Sequence, residues 1–518
     1  MKLSKGGKVD SDHADDGASK PFQRISSHVP GLDLVLQGGI FQGGIYMVVG
    51  SPGAGKTILA NQFAFSYAAA GGRVLYITLL SESHARLFAS LKEMDFFVPE
   101  RLGTSIFYIS GYAALEAGKL AGLLKLLRKA VRDHQATLLV IDGLVTAGAI
   151  AGTDLELRKF IHGLQVLVEL LGCTTLLLSG ATNAESNYAE RTMVDGLIHL
   201  STSRVGMRSE RELEVLKLRG SAAIRGGHFF EISNAGITVH PRTEARLGTN
   251  GVTQDKRMRV AFGVPRLDEM LAGGLFTGST TLLLGTHGSG KTSFGVHFLS
   301  AGADNKEPGL YFGFSQVRSR ILSKSKRISP DLADHVKRGL IEVIWQPPLE
   351  QLADALVEKL IAAINRRKVR RVFIDGMGGF QESLVYPERL LAFFTALTNE
   401  LRSVGVTTIV SDETSDFVGP QINLPRISGA AENVICLRHV ELRSQLRRLV
   451  SVIKMREGNY DSSLREFSIT DQGIELASTF ESAEGILSGM ARLRRFDDFK
   501  PSPSPTSNPV PRRKRRER

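Results

Sequence analysis

"GTHGSGKT", Gly285–Thr292, restates a stretch met 235 residues earlier, "GSPGAGKT", Gly50–Thr57. Each follows a short apolar run and opens a segment of helical spacing. A Gly-x-x-x-x-Gly-Lys-Thr loop between a strand and a helix lets successive backbone N–H groups close on β- and γ-phosphates, because glycine adopts the required dihedrals and keeps Cβ atoms out of the way. The helix N-terminus adds partial positive charge. The predicted cradles are therefore Gly50, Ser51, Pro52, Gly53, Ala54, Gly55, Lys56 and Thr57, and Gly285, Thr286, His287, Gly288, Ser289, Gly290, Lys291 and Thr292. Lys56 and Lys291 are the candidate catalytic cations, and Thr57 and Thr292 the hydroxyls that complete a Mg²⁺ shell around ATP.

The two loops belong to a larger repeat. "GGIFQGG" (38–44) precedes the first and "GGLFTGS" (273–279) the second. "LLVIDGL" and "RVFIDGM" place Asp142 and Asp375 233 residues apart, and "LKLRG" and "IKMRE" place Lys217 and Lys454 237 apart. Offsets that agree this closely indicate duplication. Both halves open alike, "HVPGLDLVLQGG" against "FGVPRLDEMLAGG", which sets the domains at residues 24–245 and 258–490, with a polar linker at 246–257. Within each half, apolar β-like runs ("IYMVVG", "RVLYITLL", "TLLVIDG") alternate with helical ones ("TILANQFAFSYAAA", "ALEAGKLAGLLKLLRKAVRDH"). Buried strands separated by helices predict an α/β fold, built twice, each copy a mostly parallel sheet flanked by helices. Asp142 and Asp375 close such strands, where a carboxylate reaches a hydrated Mg²⁺. Glu413, in the Thr-rich run "VTTIVSDET", is a further acid that could polarise water.

Composition narrows the function classes. The chain has 518 residues, 42% of them hydrophobic, and no run near the ~18 apolar residues a membrane helix requires. Residues 1–23 are polar, without the apolar segment of a secretion signal, and read as a disordered arm. The two cysteines, Cys173 and Cys436, lie beside β-like runs and read as core residues, which speaks against a disulfide framework or metal cluster and predicts a cytoplasmic protein. Of the formal charge of +12, about five units sit in "PRRKRRER" (511–518), so residues 491–518 read as a disordered basic Pro/Ser-rich tail and the body is only mildly basic. Any contact with nucleic acid is confined to that tail. The body shows no interleaving of basic and aromatic residues of the kind that tracks a single strand; "KVRRVF" and "RRLVSVIKMR" read as strands, and Trp345, in "VIWQPPLE", as a packing residue as readily as a platform.

With its paired openings, its paired loops, the closing "LEVLKLRGS" and "VSVIKMREG", and the terminal "EISNAGITV" and "SITDQGIEL", the sequence over residues 24–490 resembles the KaiC family of RecA-like ATPases. The resemblance implies two tandem RecA-like P-loop NTPase domains, a homo-hexameric double ring, and ATP held between neighbouring subunits. It also implies that Lys217 and Arg219, and Lys454 and Arg456, meet the phosphates of the next subunit. One ring would serve assembly and steady turnover, the other regulated chemistry in signalling or timing with a partner protein.

The sequence also departs from that family. Active members carry adjacent glutamates just after the strand that follows the P-loop helix, as a base for water or a hydroxyl. Here those places hold Leu80 and Ser81 in the first copy, with Glu82 one residue beyond as its candidate catalytic base, and Ser315 and Gln316 in the second. Firm ATP binding with slow hydrolysis follows, slower in the second domain. Autokinase members present adjacent Ser and Thr near the second site, whereas "RISGAAENVICL" offers Ser428 followed by Gly429. The alternatives are a serine/threonine autokinase, a non-hydrolysing nucleotide-sensing scaffold, and a RecA-type DNA motor.

Overall fold

The computed structural model describes residues 23–79, 84–180, 192–246, 258–328, 331–414, 424–442 and 445–477, with two short stretches at 483–484 and 492–493. The chain divides into two compact units, Met1–Arg246 and Leu247–Arg518.

In the first unit, β1 (Ile45–Gly50) leads through the first glycine loop into α1 (Lys56–Ala69). There follow β2 (Val74–Thr78), β3 (Ile106–Ser110), α2 (Tyr112–His134), β4 (Leu138–Asp142), α3 (Asp154–Leu171) and β5 (Thr174–Gly180). The unit closes with β6 (Gly196–Val205), β7 (Arg208–Leu218), β8 (Gly227–Ser233) and β9 (Gly236–His240). The nine strands form one sheet in the order β3-β2-β4-β5-β1-β6-β7-β8-β9. Pairing is parallel from β3 through to β6 and antiparallel from β6 onward.

The apolar run of β1 is continuous because both faces are covered. Tyr46 and Val48 pack with Phe63 and Ala64 of α1, whereas Ile45, Met47 and Val49 belong to the opposite core, with Leu123 and Leu127 of α2 and Leu164 of α3. Successive side chains of a strand point to opposite faces, so one strand feeds two cores. The amphipathic stretch read as a single helix is interrupted: in α2, Lys119 has φ 50° and ψ −152°. Gly118 precedes the break and Gly122 follows it, and glycine is among the weaker helix formers.

The second unit repeats the plan: β10 (Thr280–Gly285), α4 (Lys291–Asp304), β11 (Gly309–Gly313), β12 (Ile341–Trp345), α5 (Ala353–Arg367), β13 (Arg371–Asp375), α6 (Leu390–Ser403) and β14 (Thr407–Glu413). Then come β15 (Asn433–Leu442), β16 (Gln445–Met455), β17 (Arg465–Thr470) and β18 (Gly473–Leu476). Their order, β12-β11-β13-β14-β10-β15-β16-β17-β18, is that of the first sheet strand for strand. Phe294 and Phe298 of α4 pack on one face, and Leu356, Leu360 and Ile364 of α5 with Leu397 and Leu401 of α6 on the other. Beyond β18, Ala483–Glu484 pairs antiparallel with Arg492–Leu493, so two residues of the stretch read as a disordered tail form a bridge with the preceding domain's end. The arm at 1–22, residues 247–257 of the linker and residues 494–518 of the tail lie outside the described residues.

Cys173 and Cys436 are both buried and unpaired, as core residues. Among the described residues no helix is long and apolar enough to cross a membrane.

Candidate functional site

Both glycine loops sit at the carboxyl end of a central strand where the order reverses: β1 leads on to β2 on one side and its neighbour β5 to β6 on the other, as do β10 to β11 and β14 to β15, the usual place for a ligand crevice in an open α/β sheet. Each loop hands over to its helix through a glycine in the left-handed region, Gly55 at φ 101° and Gly290 at φ 104°. A Cβ on Gly55 would come within 2.9 Å of Ile232 Cδ1, and one on Gly290 within 2.9 Å of Ile469 Cδ1. The dihedral favours glycine there, and a side chain would in addition have to displace an isoleucine methyl.

In the first site, Lys56 Nζ donates to the carbonyls of Gly50 at 2.8 Å and Ser51 at 2.9 Å, so the ammonium lies inside the curl of its own loop. Burial holds its pKa below the usual lysine value, with Asp142 acting in the opposite sense. Thr57 Oγ1 donates to Asp142 Oδ2 at 3.0 Å, bringing together the hydroxyl and carboxylate assigned to Mg²⁺. Tyr76 of β2 donates to the same oxygen at 3.0 Å. Tyr76 also stacks on Tyr108, whose hydroxyl donates to Asn61, and Asn61 donates to the carbonyl of Thr57. The Thr–Asp pair thus rests on a buried polar network. Leu80, Ser81 and Glu82 lie outside the described residues.

The second site repeats this with changes. Lys291 Nζ donates to Gly285 O at 2.8 Å and Thr286 O at 3.0 Å, and Thr292 Oγ1 to Asp375 Oδ2 at 3.0 Å. Tyr311 again donates to that carboxylate oxygen, and Ser411 Oγ donates to Oδ1 at 3.0 Å. Burial lowers the pKa of Lys291, against the pull of Glu413 and then Asp375. Glu413 lies 3.7 Å from Lys291 Nζ and 3.4 Å from His287 Nδ1. A cavity of about 840 Å³ opens here, lined by the loop, Asp375, Ser315 and Gln316 among others. The amide oxygen of Gln316 is buried without a hydrogen-bond partner, so it is not presented to a nucleophile. Asp412 also faces the cavity; neither it nor the two tyrosines is singled out by sequence alone.

The basic pairs stand elsewhere. Lys217 pairs with Leu197, itself opposite Met47, three residues before Gly50 along β1. Lys454 pairs with Val434, opposite Leu282, three residues before Gly285. Three residues of strand span about 10 Å, and each pair lies two strands over and toward the other end of the sheet from its own loop. Lys217 donates to Thr192 O at 2.9 Å, and Arg219 pairs with Asp195 at 3.2 Å. Lys454 donates to the carbonyls of Ser428 and Ala431, and Arg456 to that of Gly429. Ser428 sits in a single 3₁₀ turn, Arg426–Gly429, at this same end.

Of the basic strands, "KVRRVF" contributes Arg371, which is buried: Nε donates to Glu307 at 2.5 Å and Nη1 to the carbonyls of Ala261 and Phe298. Trp345 donates from Nε1 to Phe314 O at 2.9 Å on the edge strand β12. Arg371 is thus held in structural contacts, and the Trp345 indole N–H is tied to the backbone while the residue stays 40% exposed.

A family model described as "ATPase: KaiC" matches the chain twice, over residues 25–244 and 260–480. The chain is 27% identical over 485 residues to the circadian clock oscillator protein KaiC of Thermostichus vulcanus, an alignment covering 91% of this chain and 92% of that one. It is 26% identical to the protein of that description from Picosynechococcus, over 92% and 94% of the two chains. With the one from Synechococcus elongatus it shares 24% identity over 90% and 91%.

Proposed function

Since the chain belongs to the KaiC family of ATPases, we propose that it binds Mg-ATP at both glycine loops, hydrolyses it slowly, and works in signalling or timing as a nucleotide-held ring of like subunits. The observation that carries the reading is the identical pairing of Thr57 with Asp142 and Thr292 with Asp375, each at 3.0 Å beneath a loop whose lysine is already curled inward. The donor set fits a hard cation: two oxygen ligands per site, leaving the rest of the shell to phosphate and water. Among the described residues no group of three or more His, Cys, Asp or Glu could hold a metal alone, so the cation would arrive with the nucleotide. Bound Mg²⁺ supplies charge neutralisation on the β- and γ-phosphates.

The protein's own part is to bind and orient. The loop N–H groups and the α1 and α4 N-termini hold the phosphates. Lys56 and Lys291 swing from the loop carbonyls to the γ-phosphate, and Tyr76 and Tyr311 fix the carboxylates. Slow turnover is expected because the places after β11 where active members carry glutamates hold Ser315 and Gln316, neither a proton acceptor at neutral pH; a base in that position is worth roughly 10²–10⁴-fold in rate, and a carboxylate reaching the water from elsewhere in the cavity would recover only part of it. For the first site, Glu82 is the candidate base that the sequence offers.

Assembly with like subunits is supported by the basic pairs. Lys217, Arg219, Lys454 and Arg456 cannot reach the loop of their own domain, and serve the phosphates of a neighbour. The autokinase reading has less support: Ser428 lies beside Lys454, away from its own Lys291, and has no adjacent hydroxyl. Lys56→Ala and Lys291→Ala, made separately, should each lose ATP from one site, and turnover with sedimentation will assign each loop to hydrolysis or assembly. Unchanged behaviour of both variants would refute the nucleotide reading.

A further inference from the structure

In the first sheet, β5 ends on Ser179 and Gly180, opposite Val49 and Gly50 of the loop strand. In the second sheet the same two places on β14, opposite Leu284 and Gly285, hold Asp412 and Glu413. The copy that lacks a carboxylate after β11 has therefore gained two at the end of the strand beside its loop. Both face the cavity that Lys291, Thr292 and Asp375 line.

The two acids differ in setting. Glu413 is exposed at the mouth and paired with His287 and Lys291. Asp412 is only 8% exposed. Its Oδ1 accepts the N–H of Glu413 at 3.0 Å, and among the described residues its Oδ2 has no hydrogen bond.

We propose that Asp412 is the proton acceptor for the attacking water at the second site, in place of a carboxylate at position 315 or 316. The inference rests on the reading of this cavity as an ATP site. The water oxygen bonds to the γ-phosphorus while the bond from that phosphorus to the β,γ-bridging oxygen breaks; ADP leaves with the electron pair, and the water proton passes to Asp412 and then to solvent. No oxidant or reductant takes part. Burial pushes Asp412 up to about 6, Lys291 and the Glu413 N–H restraining the rise and the Glu413 charge adding to it, and a base is most effective when its pKa lies near the working pH. Gln316 offers no competing acceptor, its amide oxygen being shut away.

The test uses the full chain, with turnover and equilibrium binding of a fluorescent ATP analogue measured side by side. Lys291→Ala defines the second site's share of both. Asp412→Asn should keep that share of binding and lower that share of turnover by about 10²-fold or more, Asp412→Glu should restore part of it, and Asp412→Asn added to Lys291→Ala should cost nothing further. Turnover in Asp412→Asn equal to the parent's would overturn the proposal. So would a second site that binds the analogue yet contributes no turnover in the parent. Failure of the parent to bind the analogue at either loop would sink the ATP reading itself, and the binding arm distinguishes that result from the other two.

Discussion

Asp412 has a thermodynamic side that is separate from its chemistry. Its ordinary pKa near 3.8 rises to about 6 in the folded chain, chiefly through burial. The native state therefore binds this proton more tightly than the unfolded state, and stability is lost as pH rises between about 4 and about 6, remaining lower above that window. Asp412→Asn removes the charge at every pH. The variant should match the parent below about pH 4, gain stability through the window, and level off at up to about 3 kcal/mol near neutrality, read from denaturation midpoints of nucleotide-free protein. A gain of the same size at all pH values would show that the asparagine acts through packing instead. At this scale the sequence is legible where residue type and spacing coincide: Lys56, Thr57 and Asp142, and their counterparts, stand where the motif puts them. Tyr76 and Tyr311 are not legible, because in "RVLYITLL" and "GLYFGF" a tyrosine reads as one more β-forming apolar residue. Only the pairing of β2 with β4, and of β11 with β13, brings each hydroxyl to its aspartate. Asp412 is hidden for the same reason. "IVSDE" becomes informative once β14 is seen to lie against β10, and aligning it with "LLLSG" would have raised the question.

At the scale of elements, the turn from loop to helix is the most constrained piece of either unit. Gly55 and Gly290 combine a φ that L residues rarely adopt with an isoleucine δ-methyl 2.9 Å from where a Cβ would stand. Gly55→Ala and Gly290→Ala should each cost about 1–3 kcal/mol in backbone strain and weaken nucleotide binding at their own site alone, visible as a lowered denaturation midpoint and a reduced binding stoichiometry. An alanine variant with both values intact would mean that the loop rearranges freely. The strand and helix order was readable because buried parallel strands announce themselves as continuous apolar runs and the duplication lets each copy check the other. The interruption at Lys119 was not, since the apolar spacing of α2 runs straight through it and only Gly118 and Gly122 hint at a weakness.

For the whole molecule, the register of β7 and β16 has the largest bearing on behaviour. Lys217 and Lys454 are fixed two strands over from the loop of their own domain and toward the other end of the sheet, so on the proposed ring each pocket is completed by the next chain. A chain carrying Lys217→Ala with Arg219→Ala, and a second carrying Lys56→Ala, should each be poor in first-site turnover. Mixed, they should recover part of it, because some boundaries then join an intact loop to an intact basic strand; no recovery on mixing would place the basic pair outside catalysis. The identical strand order of the two sheets carries a different consequence. Both halves keep the same interior framework yet end β5 on Ser179 and Gly180 and β14 on Asp412 and Glu413. Of these, Gly180 and Glu413 are the more exposed, whereas Ser179 and Asp412 are buried, so after an ancestral doubling the outer place could be rewritten with little penalty to folding and the inner one only against the cost of burying a charge. The outcome is a pair of twin scaffolds free to drift apart in reactivity, and grafting the two-residue ending of one onto the other would retrace that divergence in the laboratory.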